Sequence, residues 1–77
     1  MKKKSVGVQL SFLRREKGKT QEEVAEYLGL KRQSAISALE SQDMPRIPTI
    51  KNYLRALDLE CYLIVVDKEG KEVKIEL

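Results

Sequence analysis

One short stretch of the sequence concentrates side chains that could read the edge of a base pair. A glutamine can bond N6 and N7 of adenine, and an arginine can bond O6 and N7 of guanine. A serine hydroxyl can serve several bases, and an alanine methyl can touch the methyl group of thymine. The candidates for base contacts are Arg32, Gln33, Ser34, Ser37 and Ala38.

The composition argues against an enzyme. The chain has no histidine, so it can assemble neither a Ser-His-Asp triad nor a Cys-His pair. A closed zinc site needs about four Cys or His ligands, whereas Cys61 is the only residue of either type. The glycines are too dispersed to form a phosphate-binding loop. We therefore expect no catalytic residues, no metal and no cofactor.

Two short helices are predicted to position the candidate residues. Thr20 and Glu23 have the spacing of a capping box, which begins a helix, and Gly29 suits the end of that helix. A second helical pattern follows, with Ile36 and Leu39 facing inward and the candidate polar residues facing outward. Two helices joined by a turn of about three or four residues that contains glycine form a helix-turn-helix.

A further helix is predicted on each side of this pair, so that helices occupy residues 5–58. The first runs from Ser5 to Lys17 and ends at Gly18, and the last begins at Pro48. Tyr53 and Tyr62 are expected to pack with their hydroxyls at the surface. The first helix is predicted to turn Val6, Leu10 and Leu13 inward and Arg14 to the far face, and the last helix to turn Ile50, Tyr53, Leu54 and Leu57 inward.

The C-terminal segment has the alternation of strands rather than helices. Residues 60–66 and 71–77 predict a β-hairpin around a turn at 67–70. The first strand is apolar on both faces, and such a strand needs cover on both sides. We expect the helices to cover one face and a second copy of the chain to cover the other. The residues predicted at this dimer interface are Tyr62, Ile64 and Val66.

Length and charge predict a single domain over residues 1–77 with an anionic partner. The 77 residues carry a net charge of +3, and residues 1–40 hold nine basic and five acidic side chains. This excess favours a polyanion as the partner of the first half. The longest apolar run, 61–66, is far shorter than the ~20 residues that cross a bilayer. With no membrane span and no signal peptide expected, we predict a cytoplasmic protein.

Residues 10–57 resemble the lambda-repressor/Cro-like helix-turn-helix domain of XRE-type regulators. The stretches LRREKGKTQEEVAEYLGL (13–30) and QSAISALES (33–41) carry this resemblance. The chain has an extra residue relative to most family members, in or near Lys31 and Arg32. From Pro45 to the hairpin, the tail is similar to HipB- and HigA-type antitoxins.

The resemblance implies a mainly α fold, a bundle of four to five short helices followed by a C-terminal hairpin used in dimerisation. It implies that a homodimer binds a near-palindromic duplex operator, with Arg14 and Glu40 forming an internal ion pair. Lys2, Lys3 and Lys4 could act as a basic arm. The residues expected to contact phosphates are Lys19, Gln21, Lys31, Arg46 and Lys51.

Two functions remain open at this point. The first is a transcriptional repressor of its own gene. The second is an antitoxin whose main role is to bind a partner toxin while also repressing its operon. The second half of the chain, with six basic and seven acidic side chains, favours a basic partner.

Overall fold

The computed structural model describes residues 4–77, and its fold is mainly helical, as the sequence predicts. Lys2 and Lys3 of the predicted basic arm lie outside the described residues. The elements are α1 (Val6–Glu16), α2 (Gln21–Tyr27), α3 (Gln33–Glu40), α4 (Ile47–Arg55), β1 (Tyr62–Val66) and β2 (Glu72–Glu76). Within residues 4–77, no helix is long and apolar enough to cross a membrane.

Local sequence signals set the ends of the helices. The Ser5 hydroxyl caps α1 by accepting a hydrogen bond from the Val8 amide at 3.1 Å. The predicted capping box of α2 is present, with both bonds between Thr20 and Glu23 at 3.0 Å. Gly29 follows α2 at a φ of 71°, a left-handed conformation that favours glycine. Helix α4 begins at Ile47, one residue before the predicted start at Pro48.

All four helices contribute to one hydrophobic core. The inward residues predicted for α2, α3 and α4 are buried, apart from Leu28, which is partly buried against the core. The core consists of Leu10, Val24, Ala25, Ile36, Leu39, Ile50, Tyr53, Leu54 and Leu57.

The inward face of α1 differs from the predicted one. Leu13 was expected inside, but it is 36% exposed, whereas Arg14, expected on the far face, is buried. The helix is rotated because Arg14 has a buried partner in Glu40, and because Gly7 packs directly against neighbouring backbone. The ion pair of Arg14, rather than the spacing of the apolar residues, thus determines which face of α1 is buried.

Gly7 lets α1 approach the end of α3 at backbone distance. The amides of Val6 and Gly7 donate to the carbonyl oxygens of Asp43 and Gln42 at 2.8 and 3.1 Å. A Cβ atom at Gly7 would lie 2.5 Å from the carbonyl oxygens of both Glu40 and Gln42. These are backbone atoms, so a side chain cannot be accommodated by a change of rotamer.

We expect Gly7→Ala to destabilise the fold, although alanine is the better helix former. Overpacking costs about 1–3 kcal/mol, more than the roughly 1 kcal/mol that alanine gains over glycine in a helix. Urea unfolding followed by circular dichroism measures the change. Val8→Ala, on the exposed side of the same helix, is the control and should cost less. A Gly7→Ala protein as stable as the wild type would contradict the close approach.

The hairpin is antiparallel and stands apart from the core. Leu63 pairs with Ile75 and Val65 with Val73, so these four side chains share one face. In the turn, Gly70 has a φ of 82°. Every residue of β1 and β2 is exposed, so the expectation that the helices cover one face is wrong. The reason is that α4 and the chain after it pack on Cys61 and Leu59 before the strands begin.

Candidate nucleic-acid interface

Helix α3 presents its polar face to solvent. Gln33, Ser34, Ser37 and Ala38 are exposed, while Ile36 and Leu39 lie in the core. Arg32 has extended backbone angles and is the N-cap residue. Five residues, 28–32, therefore separate α2 from α3, and Lys31 and Arg32 precede the first residue of α3.

A hydrogen bond from α3 to α2 fixes the side chain of Gln33. Its Nε2 donates to Oε1 of Gln21 at 3.3 Å. Gln21 is the first residue of α2, so each glutamine begins its helix, and the bond ties the two helix starts together. The bond uses one Nε2–H of Gln33. Its other Nε2–H and its Oε1 make no hydrogen bond to the described residues and are left for a ligand.

The Glu40 carboxylate lies behind this pair and anchors it. Arg14 donates to Glu40 twice, from Nε to Oε2 at 2.8 Å and from Nη2 to Oε1 at 3.2 Å. Gln21 donates from Nε2 to Oε1 at 3.0 Å, and the Tyr53 hydroxyl donates to Oε2 at 2.7 Å. Arg14 and Glu40 are only 7% and 8% exposed. Helices α1, α2, α3 and α4 therefore meet at a single carboxylate.

The electrostatics favour an ionised pair at this point. Burial raises the pKa of Glu40, but hydrogen bonds from Arg14, Gln21 and Tyr53 outweigh burial and hold it below its ordinary value. The hydrogen bond to Glu40 raises the pKa of Arg14. Burial, followed by the hydrogen bond to Glu40, raises the pKa of Tyr53 above its ordinary range. Each group thus keeps the charge state that the network needs at neutral pH.

The lowered pKa of Glu40 predicts a specific loss of stability in acid. The unfolded carboxyl titrates near 4.5, so its contribution to the free energy of unfolding is complete above that pH. The contribution is lost as the pH falls through the lower pKa of the folded state. An NMR titration of the Glu40 side-chain carboxyl carbon measures that pKa. A midpoint at or above 4.5 would show that the hydrogen bonds do not outweigh burial.

The expected phosphate ligands lie in three places. Lys19 and Gln21 line a shallow depression with Gln33, and Lys31 lines a second one with Arg32 and Gln33. Arg46 is exposed at the N-cap of α4. Lys51 is placed differently, because its ammonium donates to the backbone oxygen of Leu77 beside the hairpin. The structure brings Lys19, Gln21 and Lys31 next to Gln33, but it does not bring Lys51 there.

The hairpin has two unlike faces. Tyr62, Ile64 and Val66 share a face with Glu72, Lys74 and Glu76, which stand opposite them on β2. The Lys74 ammonium lies 3.7 Å from the centre of the Tyr62 ring. The other face carries no charge. It consists of Leu63, Val65, Val73 and Ile75, all of them exposed.

Sequence reasoning missed two residues that support the interface. The Tyr53 hydroxyl was expected at the surface, but the side chain is fully buried and its hydroxyl reaches Glu40. Gly7 was treated as one dispersed glycine among four. A signal for Gly7 is available, because a glycine inside a predicted helix is less favourable than alanine and so indicates a position where a side chain would not fit. For Tyr53 there is no comparable signal, because its place among the apolar positions of the helix does not indicate whether its hydroxyl is buried.

Comparison with known proteins agrees with this geometry. A helix-turn-helix family model matches residues 10–64, which include most of α1, all of α2, α3 and α4, and the first residues of β1. No curated protein and no solved structure matches the chain. The matched segment is more than half of the sequence and contains Gln21, Gln33 and Glu40. The chain therefore belongs to the XRE-type helix-turn-helix family of DNA-binding transcription regulators.

Proposed function

We propose that this protein is a sequence-specific regulator that binds duplex DNA as a homodimer and represses its own gene. The observation that carries the proposal is the exposed face of α3, with Gln33 held in place by Gln21. Helices of this kind enter the major groove through their N-terminal residues. An ordered glutamine at that position can discriminate between bases, because little side-chain freedom is left to lose on binding.

The proposed base contacts follow the exposed face of α3 and its N-cap. The Gln33 amide can donate a hydrogen bond to N7 of adenine and accept one from N6. The N-cap residue Arg32 has the length to reach guanine or a phosphate. Ser34, Ser37 and Ala38 complete the face, with the methyl group of Ala38 directed at a thymine methyl.

The proposed phosphate contacts are Lys19, Gln21, Lys31 and Arg46. Lys19, Lys31 and Arg46 are exposed, and Gln21 is held beside Gln33. Such contacts position a protein on DNA without specifying sequence. Lys51 joins this set only if it releases the backbone oxygen of Leu77. We therefore expect its contribution to be smaller than that of Lys19 or Lys31.

Gln33→Ala should weaken binding to the preferred site by about 1–3 kcal/mol and leave binding to random DNA nearly unchanged. Fluorescence anisotropy titrations with the two duplexes measure both values. Gln9→Ala, an exposed glutamine on α1, is the matched control and should change neither affinity. An equal loss on both duplexes would assign Gln33 to backbone contacts instead.

The proposed dimer pairs β1 of one copy with β1 of another. Strand β1 contains no charged residue, whereas β2 carries Glu72, Lys74 and Glu76. Charged side chains hinder the pairing of an edge strand with a strand of another chain, whereas an apolar edge strand without them pairs readily. Antiparallel pairing across a two-fold axis would bring Tyr62, Ile64 and Val66 of the two copies together.

Two-fold symmetry then defines the DNA site. Two copies of α3 about one helical turn apart, ~34 Å, would read two half-sites related by the same symmetry. The operator is therefore expected to be nearly palindromic. Autoregulation is tested with duplex DNA from immediately upstream of the gene, compared with a shuffled duplex of the same composition at physiological salt. A preference of about a hundredfold or more supports an autorepressor, and equal affinities would reject it.

A second candidate function is that of an antitoxin that neutralises a partner toxin. The uncharged face of Leu63, Val65, Val73 and Ile75 favours it, because pairing of β1 edges leaves this face exposed. Co-expression with the product of the adjacent gene tests it. A stable complex that Val65→Asp abolishes would support the antitoxin role, and separate elution of the two proteins would reject it.

A further inference from the structure

We propose that the buried carboxylate of Glu40 determines which way the Gln33 amide faces, and through it the preference for adenine. Glu40 does not reach the outer face of α3, and it acts through Gln21. It is therefore a positioning residue rather than a contact residue. This inference rests on the proposed function, because it assumes that Gln33 reads a base.

The first step is that an ionised carboxylate accepts hydrogen bonds and donates none. Oε1 of Glu40 lies 3.0 Å from Nε2 of Gln21, so the amide of Gln21 must turn its nitrogen toward Glu40. The reverse orientation would place the Gln21 carbonyl oxygen against a carboxylate oxygen, with no proton between them. Glu40 itself cannot turn away, because Arg14 holds both of its carboxylate oxygens, Oε2 at 2.8 Å and Oε1 at 3.2 Å.

The second step follows from the planar shape of an amide. With its nitrogen toward Glu40, Gln21 presents its carbonyl oxygen on the opposite side, where Gln33 lies. Only a donor can bond that oxygen, so Gln33 must turn its own nitrogen toward Gln21. The buried carboxylate of Glu40 thus determines the donor in both hydrogen bonds. Gln21 donates to Glu40, and Gln33 donates to Gln21.

The third step is the consequence for the bases. Gln33 is left with one N–H and one carbonyl oxygen, which match the N7 acceptor and the N6 donor of adenine. Guanine presents acceptors at both N7 and O6 and therefore has no donor for the carbonyl oxygen. If the Gln33 amide were reversed, both of its N–H groups would face the groove, and guanine would become an acceptable partner.

The test measures the ratio of affinities for two duplexes that differ only in A·T or G·C at the base pair that depends on Gln33. We expect the wild type to prefer adenine by about tenfold or more. Glu40→Gln can donate as well as accept, and Gln21→Met breaks the chain of bonds while leaving the ion pair. Each substitution should reduce the ratio by about fivefold or more, and neither should reduce it further in a Gln33→Ala background.

A control variant separates positioning from stability. Tyr53→Phe removes one hydrogen bond from Oε2 of Glu40 but leaves the bond from Gln21 to Oε1. It should lower the stability of the fold and keep the adenine preference. If Glu40→Gln does not fold, Gln21→Met alone decides. Full retention of the preference in Gln21→Met would overturn the proposal.

Different results would reject the base contact of Gln33 and the positioning role of Glu40. If Gln33→Ala leaves the ratio of affinities unchanged, Gln33 does not read that base pair, and both the base assignment and the positioning role fall. If Gln33→Ala removes the preference while folded Gln21→Met and Glu40→Gln keep it, Gln33 reads the base without help from Glu40. Only the positioning role is then lost.

Discussion

Arg14→Met is expected to lower the free energy of unfolding by about 3–5 kcal/mol, the cost of breaking a buried ion pair from one side. The substitution leaves Glu40 buried with donors from Gln21 and Tyr53 but with no opposite charge. Small domains have a total stability of about 5–15 kcal/mol. The variant should therefore retain only part of its fold at moderate urea concentrations, as followed by circular dichroism.

Arg15→Met is the matched control for this prediction. Arg15 lies next to Arg14 on α1, is exposed, and forms no ion pair among residues 4–77. The same change of side chain there should alter stability by less than about 0.5 kcal/mol. Similar effects at both positions would mean that the loss of a basic residue from α1, and not the pair with Glu40, controls stability.

Ile64→Lys is expected to convert the proposed dimer into a monomer and to weaken specific DNA binding by about a hundredfold or more, because the two half-sites would then be bound independently. Ile64 is 52% exposed in the isolated chain, so the lysine disturbs no core packing. In the proposed dimer it would place two ammonium groups at the two-fold axis. Analytical ultracentrifugation measures the first effect, and anisotropy titration measures the second.

Glu69→Lys provides the control for this second prediction. It introduces the same side chain in the exposed turn of the hairpin, away from the β1 edge. The control should remain dimeric and should bind DNA at least as tightly as the wild type. An Ile64→Lys protein that sediments as a dimer would place the interface elsewhere, with the uncharged face of Leu63 and Val65 as the next surface to substitute.

Local signals explain why most helices could be predicted. The capping box of Thr20 and Glu23, and the glycine after each of the first two helices, act within a few residues. Their geometry depends little on the rest of the chain. The turn at Gly70 belongs to the same class, since its backbone angle is local.

The rotation of α1 could not be predicted from local signals, although the family resemblance implied an internal ion pair between Arg14 and Glu40. Leu13 and Arg14 are neighbours in sequence, and the apolar pattern alone places Leu13 inside. Burial of Arg14 depends on Glu40, which lies 26 residues away and supplies the opposite charge. Pairings of this length depend on tertiary packing that an apolar period does not record.

The prediction that the helices cover one face of the hairpin was wrong for a related reason. Alternation predicted the strands and their turn, but it did not say what would lie against them. The pairing of Leu63 with Ile75, and of Val65 with Val73, collects every exposed apolar residue of β2 on one face. Tyr62, Ile64 and Val66 are consequently opposite charged residues, which the sequence of β1 alone does not reveal.

The polar side of α3 was predictable, whereas its support was not. The exposure of Gln33 and Ser34 follows from the helical position of Ile36 and Leu39. The chain of bonds from Gln33 to Glu40 depends on side-chain geometry across two helices. Resemblance to the family implied the ion pair of Arg14 and Glu40, but it did not indicate that Gln21 links Glu40 to Gln33.

The central claim, sequence-specific binding by a two-fold dimer, is tested most directly by selection from a pool of random DNA duplexes. The protein is bound to the pool at physiological salt, and the retained duplexes are sequenced after several rounds. We expect one enriched motif with two inverted half-sites about one helical turn apart, each containing an adenine that Gln33→Ala no longer selects. Retention of duplexes without any common motif would contradict it.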